Sequence, residues 1–488
     1  MRLKPLLQSA GISRKNNCHD QDFEIKGVSA NSREVGKGFI FVAVKGARAD
    51  GSKFIQEAIK RGARVIITPN SKLRTPNSQS VIFIVTKDTR RAIARLAAEF
   101  YGNPSQNLKI VGVTGTNGKT TVTYLIEAIL KEAGKNPAVL GTINYRFNNQ
   151  RLPAKNTTPG PVELQSILAR MRRAGVNYAV MEVSSHALDQ QRTEGVKFHS
   201  AIFTNLTQDH LDYHKTKEKY FQAKARLFRA LNPGAFALIN NDDPYAARLR
   251  KITPADVATY AIENKADYLA TEIRFHATHT EFTLFTSKTR ERFKINLLGR
   301  HNVYNTLAAI AWGLKAGIPL SRIKKALEKF SVVPGRLERI GWPGNFTVLV
   351  DYAHTEDALR NVLECLKDIS QKRIIVVFGC GGERDKTKRP KMGRVVTDCA
   401  DYAIITSDNP RSESPLEIIR QIKKGIRKDN FCVIPQRLEA IKRSLGLARS
   451  GDVVLVAGKG HEDYQILGNK KIHFDDREVI RKCLRLMK

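Results

Sequence analysis

Apolar, β-branched runs of strand length recur along the chain, separated by segments with helical spacing. Near the N-terminus these are residues 38–44 (GFIFVAV), 63–68 (ARVIIT) and 80–86 (SVIFIVT). KFIQEAIKRG lies between the first two and DTRRAIARLAAEFYG follows the third, both with apolar residues three and four apart. This pattern predicts a small α/β domain ending near Asn103-Pro104. A larger α/β unit then opens with LKIVGV (108–113) and continues through YAVMEVSSH (178–186) and SAIFTNL (200–206). Each run turns polar at its C-terminal end.

A Pro-Gly turn signal in KFSVVPGRLE (329–338) marks the passage to a third unit. There TVLVDYAH, KRIIVVFGCGGERD, DYAIITSDNPR and DVVLVAGKGHED again run from apolar strand into polar or Gly-rich loop. Open α/β sheets hold ligands at the carboxyl ends of their strands, so the chemistry is expected in these loops. The expected fold is α/β in three domains: 1–104, 105–331 and 332–488. No tandem repeat or low-complexity segment interrupts it.

Composition narrows the class. The 488 residues are 42% hydrophobic and 26% charged, with no apolar run near the ~18 residues of a membrane span. The N-terminus MRLKPLLQSAGISRKNN has no signal-type apolar stretch, so a soluble, cytoplasmic protein is expected, as a monomer. Six scattered cysteines without C-x-x-C spacing predict reduced thiols, with neither disulfide nor structural zinc. The net charge of +35 raises a nucleic-acid reading, but Lys and Arg are spread along the chain without a basic tail or aromatic platform. Anionic small-molecule substrates or a basic compositional bias are the better readings of the charge.

The loop Thr114, Gly115, Thr116, Asn117, Gly118, followed by Lys119 and Thr120, joins a strand to an apolar-striped helix. It misses the G-x-x-x-x-G-K-[ST] spelling, because the position five before Gly118 is Val113. The context is still that of a phosphate loop: backbone N–H groups and a helix N-terminus favour an anion, Lys119 reaches outer phosphates and Thr120 can hold Mg²⁺. Glu182 ends the next strand, a carboxylate placed where a Walker B acid would ligate magnesium. His210 and His214 are four apart, but Leu211 stands where a zinc-protease helix needs glutamate. NKAD (264–267) matches a guanine-recognition motif without a preceding continuous buried strand and is read as chance. FGCGGERD ends in Arg384 where a dinucleotide fingerprint needs glycine, and Cys380 within it is read as a small buried residue.

Taken in order, GTNGKTT, NTTPG, EVSSHALDQQR, TNLTQDHLDYH, LLGRHNVYN, PGRLE, VDYAHTEDAL, FGCGGERDKTKRP, DNPR and AGKGHEDYQ resemble the Mur ligases, from about Ser29 to near the C-terminus. The resemblance implies a uridine-nucleotide domain, a central ATPase domain and a Rossmann-like domain that brings an amino acid. It implies ATP-dependent amide formation on UDP-N-acetylmuramoyl-L-Ala-D-Glu through an acyl phosphate, with Mg²⁺, in peptidoglycan precursor synthesis. Thr120, Glu182, His210 and a carbamylated Lys224 would surround the magnesium ions; from the sequence alone Lys224 reads as a solvated helix lysine. Asn302, Arg336 and Asp351 match further ATP positions, with Arg336 otherwise read as a surface charge in a linker. Ser32, Ala47, Arg48 and Ala49 match the uridine side, and Thr157, Thr158, Ser184, Gln190 and Arg192 the muramoyl-dipeptide side. One departure is Asn31, where the family usually has aspartate.

The amino-acid side is matched by Arg384, Asp408, Asn409, Pro410, Arg411, Gly458 and Glu462. A guanidinium grips a carboxylate through paired hydrogen bonds and repels an ammonium. Arg411 therefore favours meso-diaminopimelate, which has a distal carboxylate, over L-lysine, which has none. Alternatives are an L-lysine-adding or other Mur or folylpolyglutamate-type ligase, and a nucleic-acid-dependent NTPase.

Overall fold

The computed structural model describes residues 1–12, 22–46, 49–70, 81–370 and 372–487. The chain divides into two compact units. The first holds Met1–Gly112, Lys135–Ala201 and Arg229–Ala235, and the second Val113–Gly134, Ile202–Phe228 and Phe236–Lys488. Among the described residues no helix is long and apolar enough to cross a membrane.

The first unit opens with a sheet ordered Gly27–Ser29, Phe39–Val42, Ala63–Thr68, Ile82–Val85, parallel throughout. Parallel strands covered on both faces read as continuous apolar runs, and alternate side chains go to opposite sides. Ile40, Val42, Val65 and Ile67 pack with Ile93 and Leu96 of helix Thr89–Phe100. Phe41, Ala43 and Ile66 face Ile55 and Ala58 of the short helix Ile55–Lys60. Asp88 caps helix Thr89–Phe100 by accepting from the Arg91 N–H at 2.9 Å. The same unit carries strands ordered Phe198–Phe203, Lys109–Thr114, Tyr178–Glu182, Pro137–Leu140, Asn144–Phe147 and Gln150–Pro153. The last residues of Lys109–Thr114 and Phe198–Phe203 belong to the second unit.

In the second unit, Phe236–Asn240, Asp256–Ala261 and Tyr268–Phe275 pair in parallel. Thr280–Phe285 and Arg290–Ile295 then continue as antiparallel hairpins. A further sheet runs Glu338–Arg339, Thr347–Asp351, Val453–Ala457, Ile374–Phe378, Tyr402–Ile405, Phe431–Val433, all parallel except the two-residue first strand. Leu349, Val376 and Leu455 meet helices Glu356–Ile369 and Lys388–Cys399, whereas Val350, Val377 and Val456 meet helices Arg437–Leu447 and Asp476–Leu486. This doubly covered sheet sends the loops after residues 351, 378, 405 and 457 to its carboxyl edge, as expected from the polar strand endings.

NKAD differs from expectation in one respect. A strand does precede it, Asp256–Ala261, with its last four residues buried. Asp267 is nonetheless occupied, accepting from both the N–H and the hydroxyl of Thr259 at 2.7 Å. Cys380 is buried, and burial pushes its thiol up to about 12, as befits a packing residue.

Candidate active site

The phosphate loop lies in the second unit, between Thr114 and helix Lys119–Glu132. Two glycines make its shape possible. Gly115 has φ of 153° and a Cβ there would lie 1.8 Å from Thr204 Oγ1; Gly118 has φ of 87° and a Cβ would lie 2.3 Å from Asn305 Oδ1. The loop is pinned from outside by Asn205, whose side chain accepts from Asn117 N–H at 2.9 Å, and by Thr204, whose hydroxyl donates to Asn117 C=O at 2.6 Å. Thr114 Oγ1 is buried without a hydrogen-bond partner.

Two lysines converge on this loop. Lys119 Nζ donates to Gly115 O at 2.9 Å and Thr116 O at 2.8 Å, and Lys224 Nζ donates to Gly115 O at 2.7 Å. Lys224 is not the solvated helix lysine that its sequence surroundings suggest: it is 1% exposed. Its helix, Lys217–Arg229, buries Tyr220, Phe221, Leu227 and Phe228, and Lys224 falls on that apolar face. Burial, then the Lys119 ammonium, push its pKa well below the ordinary value, against a pull from Asp209 in the other direction.

His210 has φ of 55°, and its Nε2 lies 3.4 Å from Asp209 Oδ2. Burial opposes ionisation of Asp209, but His210, Lys388 and His354 outweigh it and keep the carboxyl well below its usual range.

A cavity of about 680 Å³ opens beside the loop, lined by Asn117, Gly118 and Thr120 together with Asn302, Arg336 and Asp351. Asn302 is buried, donating to Leu298 O at 2.8 Å and accepting from Asn305 at 3.0 Å. Arg336 is no surface charge. Its guanidinium lies 4.7 Å from the Tyr352 ring centroid and 3.5 Å from Thr120 Oγ1, and its Nε is buried without a partner. Asp351 accepts from Leu337 N–H and Ala353 N–H, each at 2.7 Å, and burial raises its pKa. Residues not anticipated from sequence complete the wall: Asn117 Nδ2 donates to Asp357 at 2.7 Å, and Lys388 and Lys391 reach the cavity. Both lysines stand in the motif FGCGGERDKTKRP or just after it, but nothing in the spelling tells which basic residues turn inward.

At the carboxyl edge of the C-terminal sheet, Asn409 Nδ2 donates to Glu462 Oε2 at 2.9 Å, while its Oδ1 accepts from Ile466 N–H at 3.0 Å and Lys459 Nζ at 3.3 Å. Gln465 donates to Asp408 O at 2.7 Å, and a Cβ at Gly458 would lie 2.7 Å from Asp408 Oδ2. Pro410 O would lie 1.9 Å from a Cβ on Gly382. Arg411 holds φ of 53° and donates through Nη1 to Gly382 O at 2.7 Å. Burial, then Arg384, lower the Arg411 pKa; burial, then Asp408, raise that of Glu462. Two neighbouring guanidiniums near a largely buried carboxyl suit a ligand with anionic and cationic ends.

In the first unit the expected muramoyl-dipeptide residues form one network around Glu182. Glu182 accepts from Thr142 N–H at 2.9 Å and Thr142 Oγ1 at 3.0 Å, and Thr142 Oγ1 lies 3.1 Å from Thr157 Oγ1. Thr158 Oγ1 donates to Glu182 O at 2.8 Å and accepts from Ser184 N–H at 3.0 Å. Arg192 donates to Thr158 O at 3.0 Å and to Gln190 Oε1 at 2.7 Å. Further toward the N-terminus, buried Ser32 donates to Glu57 at 2.7 Å. Asn31 caps the turn Ser32–Glu34, accepting from Arg33 N–H at 3.2 Å, and its amide donates to Glu34 at 3.0 Å, a bond an aspartate could not make. Ala47 and Arg48 lie outside the described residues; Ala49 O accepts from Gly46 N–H at 2.9 Å.

Three family models match in succession: "Mur ligase family, catalytic domain" at residues 24–101, "Mur ligase middle domain" at 113–313 and "Mur ligase, glutamate ligase domain" at 335–460. The UDP-N-acetylmuramoyl-L-alanyl-D-glutamate–2,6-diaminopimelate ligase of Clostridium tetani is 44% identical over 487 residues, covering 99% of both chains. That of Bacillus velezensis is 44% identical over 96% of both. A solved structure bearing the same enzyme name is 33% identical, covers 99% of both chains and superimposes with a TM-score of 0.69. MurF from Acinetobacter baumannii, 21% identical with a TM-score of 0.67, shares the fold.

Proposed function

The chain belongs to the Mur ligase family, and from that premise we propose that it joins meso-diaminopimelate to the D-Glu γ-carboxylate of UDP-N-acetylmuramoyl-L-Ala-D-Glu at the expense of ATP. The observation that carries this reading is the reach of Arg336 to Thr120 of the phosphate loop, 3.5 Å away, with Asp351 on the same cavity. A C-terminal domain thereby completes a nucleotide site begun by the central one, as an enzyme that must shield an acyl phosphate from water requires. The domain limits we propose are 1–104, 105–331 and 332–488.

A carboxylate is a poor electrophile and ATP is also anionic, so the chain's first task is to position both and neutralise their charge. The loop N–H groups and Lys119 cradle the phosphates, with Asn302, Arg336 and Asp351 on the remainder of the nucleotide. One γ-carboxylate oxygen attacks the γ-phosphorus and ADP leaves; the neutral amine of diaminopimelate then attacks the acyl carbon, phosphate departs with that oxygen, and the nitrogen gives up a proton to solvent as the amide forms. Thr157, Thr158, Ser184, Gln190 and Arg192 hold the muramoyl dipeptide, and Ser32 with Ala47, Arg48 and Ala49 the uridine end. Arg411 and Arg384 take the carboxylates of the incoming amino acid and Glu462 an ammonium, with Asp408, Asn409, Pro410 and Gly458 shaping the site.

By the family resemblance Thr120, His210 and Glu182 would hold Mg²⁺, the Thr120 hydroxyl and the Glu182 carboxylate offering the oxygen donors that ion takes, and it would supply charge neutralisation at the transferring phosphoryl group. Lys224 fits the carbamate role because its burial favours the neutral amine that adds to CO₂; its nitrogen bonds the carbon, a proton leaves to solvent, and an anionic oxygen donor results. The test is isotopic. With ¹⁸O in the D-Glu γ-carboxylate, one ¹⁸O per turnover should appear in the released phosphate; phosphate carrying only oxygen from water or ATP would exclude the acyl phosphate.

A further inference from the structure

Away from this site, the hairpin between strands Tyr268–Phe275 and Thr280–Phe285 carries the sequence His276-Ala277-Thr278-His279-Thr280-Glu281. His276 N–H donates to His279 O at 2.9 Å, closing a two-residue turn that sets the two histidines opposite each other. Antiparallel register pairs Phe275 with Thr280 and Arg274 with Glu281. Side chains alternate along each strand, so His276, His279 and Glu281 share one face. The imidazoles stack with ring centroids 4.3 Å apart at 14°. His279 Nε2 lies 3.5 Å and His276 Nε2 4.0 Å from the Glu281 carboxylate, and the ligand atoms of all three residues lie within 4.8 Å of one another.

We propose that this turn is a binding site for one divalent transition-metal ion of the Zn²⁺ class, held by His276 Nε2, His279 Nε2 and the Glu281 carboxylate. Metal–nitrogen bonds of ~2.0–2.1 Å around a tetrahedral ion put donor atoms roughly 3.3 Å apart, so small side-chain rotations close the set. Two imidazoles and one carboxylate select zinc, copper or nickel over magnesium or calcium. Thr278 Oγ1 lies 3.1 Å from His279 Nδ1, placed to accept its N–H and leave Nε2 as the metal-facing lone pair. Three protein ligands leave one coordination position for water. Arg274 and Lys294, paired in register with Glu281, oppose the ion's charge, which places the expected affinity below that of a buried structural site.

The experiment is Zn²⁺ titration of the full-length protein against a chromophoric chelator, comparing wild type with the double variant His276→Asn/His279→Gln and with Glu281→Gln. The comparison subtracts zinc taken up by any other group. Wild type should bind one equivalent more than the double variant, and Glu281→Gln should weaken that equivalent by at least the roughly 10–100-fold that loss of an outer-shell partner costs. Thr278→Val should weaken it while keeping its stoichiometry. Equal stoichiometry and affinity in wild type and double variant, with equal melting temperatures in EDTA showing both folded, would overturn the proposal.

Discussion

At Arg411 the backbone is left-handed, with φ of 53°, while Nη1 is anchored on Gly382 O. Non-glycine residues in that region cost about 1 kcal/mol. Arg411→Gly should therefore be more stable than Arg411→Ala by about 1 kcal/mol in denaturant unfolding, although both lose the guanidinium. Both should lower kcat/KM for diaminopimelate roughly 10- to 100-fold, the value of hydrogen bonds to a charged group. The place of Arg411 after an apolar strand and the charge logic of its guanidinium are legible in DNPR. Its backbone conformation and its anchor are not, because both depend on a loop brought from another strand. Lys224 is less legible still. Nothing local marks it, and its burial follows only from the apolar face of its own helix meeting the loop carbonyl of Gly115.

Among the secondary-structure elements, helices are tied beneath a sheet by buried charge. Arg437 donates to Asp476 at 2.7 and 2.8 Å and to Ala457 O at 3.0 Å, with both charged side chains 0% exposed. This joins helix Arg437–Leu447 to helix Asp476–Leu486 and to the end of strand Val453–Ala457. Removing one partner strands a buried charge. Asp476→Asn should cost about 3–5 kcal/mol, whereas replacing both residues with apolar ones of similar size should cost much less. Chemical denaturation of the single and double variants measures the difference. Periodicity does not foretell such a tie, since the partners are distant in sequence. It does foretell the strands of the first and last thirds, because alternate side chains feed two cores on opposite faces.

Across the whole molecule, three partly buried histidines make stability depend on pH. Burial, then Arg336, lower His301 to about 4; burial, then Lys388, lower His354 to about 4; burial, then Arg336, lower His461 to about 3. In the unfolded chain each binds its proton near the ordinary value of 6.5, so below that pH the unfolded state holds more protons. Stability should be full above pH 6.5 and fall as pH drops toward 4. His301→Gln should flatten that decline in melting temperature; an unchanged slope would mean that His301 is protonated in the folded chain. Asn117, Gly118, Thr120, Asn302, Arg336 and Asp351, taken from separate sequence motifs, line one cavity, but the motifs do not foretell that histidines are partly buried beside Arg336, since burial is a property of the assembled loops.

The central claim, ligation of diaminopimelate directed by Arg411, is tested most directly by phosphate release from ATP with UDP-N-acetylmuramoyl-L-Ala-D-Glu and Mg²⁺, meso-diaminopimelate being compared with L-lysine as the amine. Turnover with diaminopimelate and little with lysine is expected, and Arg411→Ala should abolish most of the difference. Equal or faster turnover with lysine would contradict the specificity, and no turnover with either would contradict the ligase itself.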